Sequence, residues 1–141
     1  NPSIDIERLR QWKNRIVGKL TAGLTILAKQ RKVQVLRGYG RFASAKRLEV
    51  REPDGATRVV AFEHCIVAAG SEPVRLPGLP SDPRIIDSTG ALDLKELPDR
   101  LLVVGGGIIG LEMACVYDAL GSKVSVAELT PGLMPGCDRD L

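Results

Sequence analysis

The chain has 141 residues, 44% of them apolar and 26% charged. That is enough for about one domain with a packed core, and it excludes the profile of a disordered chain. The formal charge of +3 hides an asymmetry. Residues 1–48 hold twelve basic and two acidic side chains (+10), and residues 49–141 hold eight and fifteen (−7). The apolar runs near Leu101–Val104 and Ile108–Leu111 fall far short of the ~20 residues of a bilayer span, and the first residues lack the pattern of a secretory signal. No membrane association is expected, and a cytoplasmic location is.

In chain order, Ser3 or Asp5 can cap a helix. The apolar positions Leu9, Trp12, Ile16, Leu20, Leu24 and Leu27 then follow at a mean step of 3.6, the period of an α-helix. A single amphipathic helix is predicted from about residue 5 to residue 31, roughly 40 Å long at ~1.5 Å per residue, with its apolar stripe turned to a core. Val33 to Leu36 reads as a strand, Gly38-Tyr39-Gly40 as a turn or close backbone approach, and Arg41 to Ala43 as a short continuation. Arg47 to Glu52 and Thr57 to Phe62 flank Pro53-Asp54-Gly55-Ala56, residues that preset a turn, so a hairpin is predicted. Cys65 to Ala69 is a continuous apolar run ending at Gly70, the pattern of a central strand buried on both faces.

Pro73, Pro77, Gly78, Pro80 and Pro83 exclude regular structure from the next stretch. Asp87-Ser88-Thr89 suggests a short helical turn, and Pro98-Asp99 starts a new unit. Three widely spaced cysteines, Cys65, Cys115 and Cys137, form no CxxC pair or disulfide framework. They read as small apolar fillers in a reducing compartment. His64 is the lone histidine and reads as a surface residue at a strand start, which leaves metal sites and His-based triads little to build on. The basic first third invites nucleic acid as a partner. With 4% aromatic residues and no stacking platform, a solvated face or an acidic protein surface is the better reading, and no nucleic acid is expected.

The chemistry concentrates after residue 100. The apolar strand Leu101–Val104 runs into Gly105-Gly106-Gly107-Ile108-Ile109-Gly110, a G-x-G-x-x-G match that opens a helix which Gly121 can end. Lys123 to Ala127 forms a second strand with Glu128 at its end, 18 positions after Gly110. Gly105 allows the tight turn, Gly107 lets a pyrophosphate approach the backbone, and Gly110 permits close helix packing. A phosphate would sit at the helix start near Ile108. The Glu128 carboxylate can accept from ribose hydroxyls and repels a 2′-phosphate, so NAD is preferred to NADP. Glu112, in the first helical turn, can be a favourable charge near the helix N-terminus.

Four stretches carry a resemblance over essentially the whole chain: Gly38-Tyr39-Gly40-Arg41-Phe42, Cys65 through Pro73, Asp87 through Leu92, and Val104 through Met113. In that order they resemble the pyridine nucleotide-disulfide oxidoreductases, and within them the dihydrolipoamide dehydrogenases, flavoproteins of the 2-oxo acid dehydrogenase complexes. The resemblance implies an α/β fold of the FAD/NAD(P)-binding Rossmann-like type, here incomplete: a parallel sheet with helices plus an antiparallel β excursion. Residues 1–90 would be the later part of an FAD domain, 91–98 a connector, and 99–141 the start of an NAD domain.

The resemblance places Gly40 and the Ala69-Gly70-Ser71 turn against FAD, Gly105 through Glu112 along the pyrophosphate and nicotinamide, and Glu128 on the ribose. It also implies a homodimer serving lipoyl domains. The family's first glycine motif, its C-x4-C redox pair and its His-Glu acid-base pair have no counterpart here, so the chain alone is expected to be inactive and prone to self-association. Mercuric reductase, transhydrogenase, NADH oxidase and a non-catalytic dinucleotide or interaction module are the alternatives.

Overall fold

The computed structural model describes residues 3–138 and 140. Helix α1 (Ile6–Gln30), three antiparallel strands β1 (Tyr39–Ser44), β2 (Arg47–Arg51) and β3 (Thr57–Ala61), helix α2 (Ser88–Asp93), and a unit of strand β4 (Arg100–Val104), helix α3 (Ile108–Leu120) and strand β5 (Lys123–Ala127) follow in order. The chain divides into two compact units, Arg15–Ser71 and the combination of Asn1–Asn14 with Glu72–Leu141. Among the described residues no helix is long and apolar enough to cross a membrane. The architecture is α/β, with a parallel pair and an antiparallel meander.

In the unit Arg15–Ser71, the meander has the order β1-β2-β3. Its second turn forms as its residues dictate: the Ala56 amide donates to Asp54 Oδ1 at 3.0 Å, Gly55 takes φ +89°, and the Glu52 amide donates to the Ala56 carbonyl at 2.8 Å. The resulting register pairs Arg51 with Thr57 and Leu48 with Val60. Val50 on the middle strand is the buried apolar residue of this unit. Gly38 meets the meander so closely that a Cβ there would lie 2.3 Å from the Arg51 carbonyl oxygen, so no side chain fits.

Several expectations need correction here. Of the two readings of residues 38–40, the close backbone approach holds at Gly38, whereas Gly40 lies within β1, opposite Val50, rather than in a turn. Residues 33–36 and 65–69 are irregular, not strands, and all but the half-buried Leu36 are exposed. A strand satisfies its amides and carbonyls only through a neighbour, and neither run has a ladder partner among the described residues. Helix α1 matches its predicted span, but its stripe is no core face. Trp12, Ile16, Leu20, Leu24 and Leu27 are exposed, because periodicity gives a helix the capacity to pack and not the surface to pack on. Cys65, Cys115 and Cys137 are all exposed free thiols rather than buried fillers. His64 is on the surface, with no strand behind it.

In the other unit, Asp87 caps α2 by accepting from the Gly90 amide at 2.9 Å. Strands β4 and β5 pair in parallel, Leu101 with Val124 and Val104 with Ala127, and α3 makes the crossover between them. The helix ends at Gly121, whose φ of +111° suits the one residue without a Cβ. The small core lies beneath α3: Tyr117 is 1% exposed, with Leu94, Ala114 and Ser122 also buried. Its polar atoms are paired, Tyr117 Oη donating to the Ala91 carbonyl at 2.9 Å and Ser122 Oγ to the Pro98 carbonyl at 2.6 Å. One face of β4 stays open through Leu102 and Val104.

Candidate functional site

The turn after β4 assembles three glycines with three different steric demands. Gly105 holds φ at +109°, a conformation that costs a side-chain-bearing residue about 1–3 kcal/mol, and its amide closes the parallel ladder onto the Ala127 carbonyl at 2.8 Å. Gly110, on the first turn of α3, packs so tightly that a Cβ would lie 2.3 Å from the Gly105 carbonyl and 3.1 Å from Val103 Cγ1. Gly107 caps the helix with extended backbone (φ −75°, ψ 175°), and a Cβ there would meet nothing within 4 Å. Gly105 and Gly110 are thus demanded by the protein itself, whereas Gly107 faces open space.

Gly106 has its own reason to be glycine, one the G-x-G-x-x-G pattern leaves open. It is buried, and a Cβ would sit 2.6 Å from Leu133 Cδ2 and 3.2 Å from Glu128 Oε2. The segment after β5 folds over it, the Met134 amide donating to the Gly106 carbonyl at 2.8 Å. Ile108 and Ile109 at the start of α3 are exposed.

Glu128 meets this turn directly. Its Oε2 accepts from the Gly106 amide at 2.6 Å, and its Oε1 accepts from the Thr130 amide and the Thr130 hydroxyl, each at 2.8 Å. The Thr130 amide, then the Gly106 amide and the Thr130 hydroxyl, pull the carboxyl from its ordinary 4.5 down to about 2, with the Leu129 amide adding the smallest pull. Hydrogen bonds to the charged form favour it, so at neutral pH this corner carries a fixed negative charge beside the helix start.

Glu112 needs a correction. Helix α3 begins at Ile108, and no acidic residue lies in its first turn, so Glu112 stands beyond the reach of the helix N-terminal charge, which fades within that turn. It lines an apolar groove of about 590 Å³ along α3 with Ile108, Leu111, Cys115 and Met134.

The structure therefore brings Gly105, Gly106, Gly107, Ile108, Ile109, Gly110 and Glu128 to one corner. Gly40 sits in β1, with Leu48 Cδ2 3.4 Å from where its Cβ would be. Ala69, Gly70 and Ser71 lie in an exposed irregular stretch, where Gly70 takes φ +77° with open space around it. Thr130, Leu133 and Met134 went unread in the sequence. A hydroxyl two residues beyond an acid is a recognisable local pairing pattern, so Thr130 had a signal.

A fold of this class with a glycine turn at the parallel strand edge matches a family model, Pyridine nucleotide-disulphide oxidoreductase, over residues 2–141. The chain belongs to that family, whose members are flavoproteins using FAD and NAD. Among curated relatives it is similar to the dihydrolipoyl dehydrogenase of Vibrio cholerae, 52% identical over 141 residues, which cover 99% of this chain and 30% of that protein. The dihydrolipoyl dehydrogenase of Pseudomonas aeruginosa is 44% identical over 140 residues, again 99% of this chain and 30% of the relative. Among solved structures, the HOCl-induced flavoprotein disulfide reductase RclA from Escherichia coli superposes with a TM-score of 0.80 at 33% identity, covering 94% of this chain and 30% of that one. The chain spans about 30% of the length of these relatives.

Proposed function

We propose that this chain is the flavin- and nicotinamide-contacting portion of an FAD-dependent dihydrolipoyl dehydrogenase, an enzyme that passes electrons from dihydrolipoyl groups through a cysteine disulfide and FAD to NAD+. The single observation that carries the nicotinamide half is the hydrogen bond from the Gly106 amide to Glu128 Oε2 at 2.6 Å. It ties an acid at one strand end to a glycine turn at the next. The open space at Gly107 suits a pyrophosphate resting on backbone amides at the start of α3. Identity of 52% to the Vibrio cholerae protein, against 33% to the disulfide reductase from Escherichia coli, favours the dihydrolipoyl substrate over that of another disulfide reductase.

The chain's residues bind and orient; the redox chemistry is supplied by the flavin and the nicotinamide. Gly105 through Gly110 hold the diphosphate, and Ile108, Ile109 and Glu112 border the nicotinamide side. Glu128 takes the adenosine ribose and repels a 2′-phosphate. Gly40, Ala69, Gly70 and Ser71 lie along FAD, where small residues let backbone atoms come close. Residues 1–90 then serve the FAD domain, 91–98 connect, and 99–141 begin the NAD domain. The wider reading is a homodimer serving lipoyl domains of a 2-oxo acid dehydrogenase complex. It lies in the cytoplasm, where three exposed free thiols stay reduced.

Glu128→Ala in the intact enzyme tests the reading. The NADH dissociation constant rises about tenfold, a loss of about 1.4 kcal/mol, and discrimination against NADPH relaxes. Unchanged affinity for both nucleotides by calorimetry would falsify the ribose assignment.

A further inference from the structure

The hydrogen bonds around Glu128 decide which of its oxygens a ribose can use. An ionised carboxylate offers about four acceptor positions, two on each oxygen. Oε1 is full, since the Thr130 amide and hydroxyl both donate to it at 2.8 Å. Oε2 accepts only the Gly106 amide, at 2.6 Å, among the side-chain hydrogen bonds of the described residues, which leaves one of its two positions.

The Thr130 hydroxyl is well placed to hold this arrangement. Its single proton lies between Glu128 Oε1 at 2.8 Å and the Gly132 carbonyl at 2.9 Å, and a charged acceptor outcompetes a neutral one by about a factor of two in strength. Thr130 is β-branched, which restricts χ1, and it precedes Pro131, which restricts its backbone. The oxygen is thus fixed from both ends.

On the nicotinamide reading given above, we propose that Thr130 is a positioning residue for nucleotide selection. By saturating Oε1 it leaves Oε2 as the one oxygen open to a ribose hydroxyl, beside the turn that carries the diphosphate. A nucleotide bearing a 2′-phosphate gains nothing from the arrangement, because its added group brings negative charge to a carboxylate already fixed in place.

The test uses the full-length enzyme and four variants: Thr130→Val, Thr130→Ser, Glu128→Ala, and Thr130→Val combined with Glu128→Ala. NADH and NADPH dissociation constants are measured by calorimetry. Thr130→Val, which removes one hydrogen bond and keeps the shape, weakens NADH about fivefold and leaves NADPH within about twofold, and Thr130→Ser restores wild-type affinity. Because Thr130 acts through the Glu128 carboxylate, the valine effect vanishes in the Glu128→Ala background, which has no acceptor left for the hydroxyl to hold, the signature of coupling in a double-mutant cycle. A valine effect of equal size in that background, or no rescue by serine, overturns the proposal by making Thr130 merely structural. If Glu128→Ala weakens NADH while Thr130→Val does not, the Thr130 assignment alone fails. If Glu128→Ala changes nothing, the ribose reading beneath it fails as well.

Discussion

Two unbroken apolar runs of the chain, Leu101 to Val104 and Cys65 to Ala69, have opposite fates. Leu101 to Val104 sits in a ladder with Val124 to Ala127, while residues 65–69 lie unpaired, with Ile66 93% exposed and Val67 70% exposed. The difference is in what surrounds them. The first run is followed at once by a glycine turn, a capped helix and a second strand that returns beside it, all within about thirty residues, the length of one βαβ unit. The second run is followed by a stretch rich in proline and glycine that brings back no strand. An apolar run states a capacity for burial; whether it is used depends on a partner that must be supplied.

The sharpest way to break the favoured region is at Gly110. An alanine Cβ would press on the Gly105 carbonyl oxygen at 2.3 Å, a backbone atom that cannot swing away, and would crowd Val103 Cγ1 at 3.1 Å. Overpacking of this kind costs about 1–3 kcal/mol and sometimes more, so Gly110→Ala in the intact enzyme shifts urea unfolding by about 3 kcal/mol and impairs NADH binding with it. Wild-type stability would mean that the helix and strand are not packed as described.

Gly107 separates folding from binding in the same turn. Its Cβ would meet no protein atom within 4 Å and its φ of −75° suits any residue, so Gly107→Ala changes stability by less than about 1 kcal/mol, the range of a helix-cap substitution. The same methyl stands where the diphosphate is proposed to lie. NADH affinity therefore falls at least tenfold by calorimetry, about 1.4 kcal/mol. Loss of stability without loss of affinity would reverse the assignment of the two glycines.

The contrast also explains what could be read in advance. The β4–α3–β5 unit, its caps and the position of Glu128 were legible because each boundary carries its own local chemistry: Gly105 for positive φ, Gly121 for the helix end, and the alternation of 123–127 for the strand. The Asp54-Gly55 turn was legible for the same reason. The stripe of α1 and the runs at 33–36 and 65–69 misled, since burial is a property of two surfaces and the sequence of one describes only half. At the site, the pairing of Glu128 with the Gly106 amide lay beyond pattern reading because the two are 22 residues apart. Thr130 was within reach, as it lies only two residues from the acid it serves.

The smallest expected effect is at Ile66 in the 141-residue chain, and it bears on the unpaired run. With its side chain 93% exposed, Ile66→Ser removes almost no burial, and surface substitutions of this kind stay within about 0.5 kcal/mol. Urea unfolding of the 141-residue chain should therefore be unchanged. In the longer enzyme of the proposed reading, a strand buried on both faces would have Ile66 in a core, and truncation there costs about 2–5 kcal/mol. A small effect in the short chain with a large one in the long protein means that the run was coded for a partner and lacks it here. Equal small effects in both would mean that its apolar residues never form a strand. Equal large effects would mean that the run is already buried in the short chain, against the exposure observed.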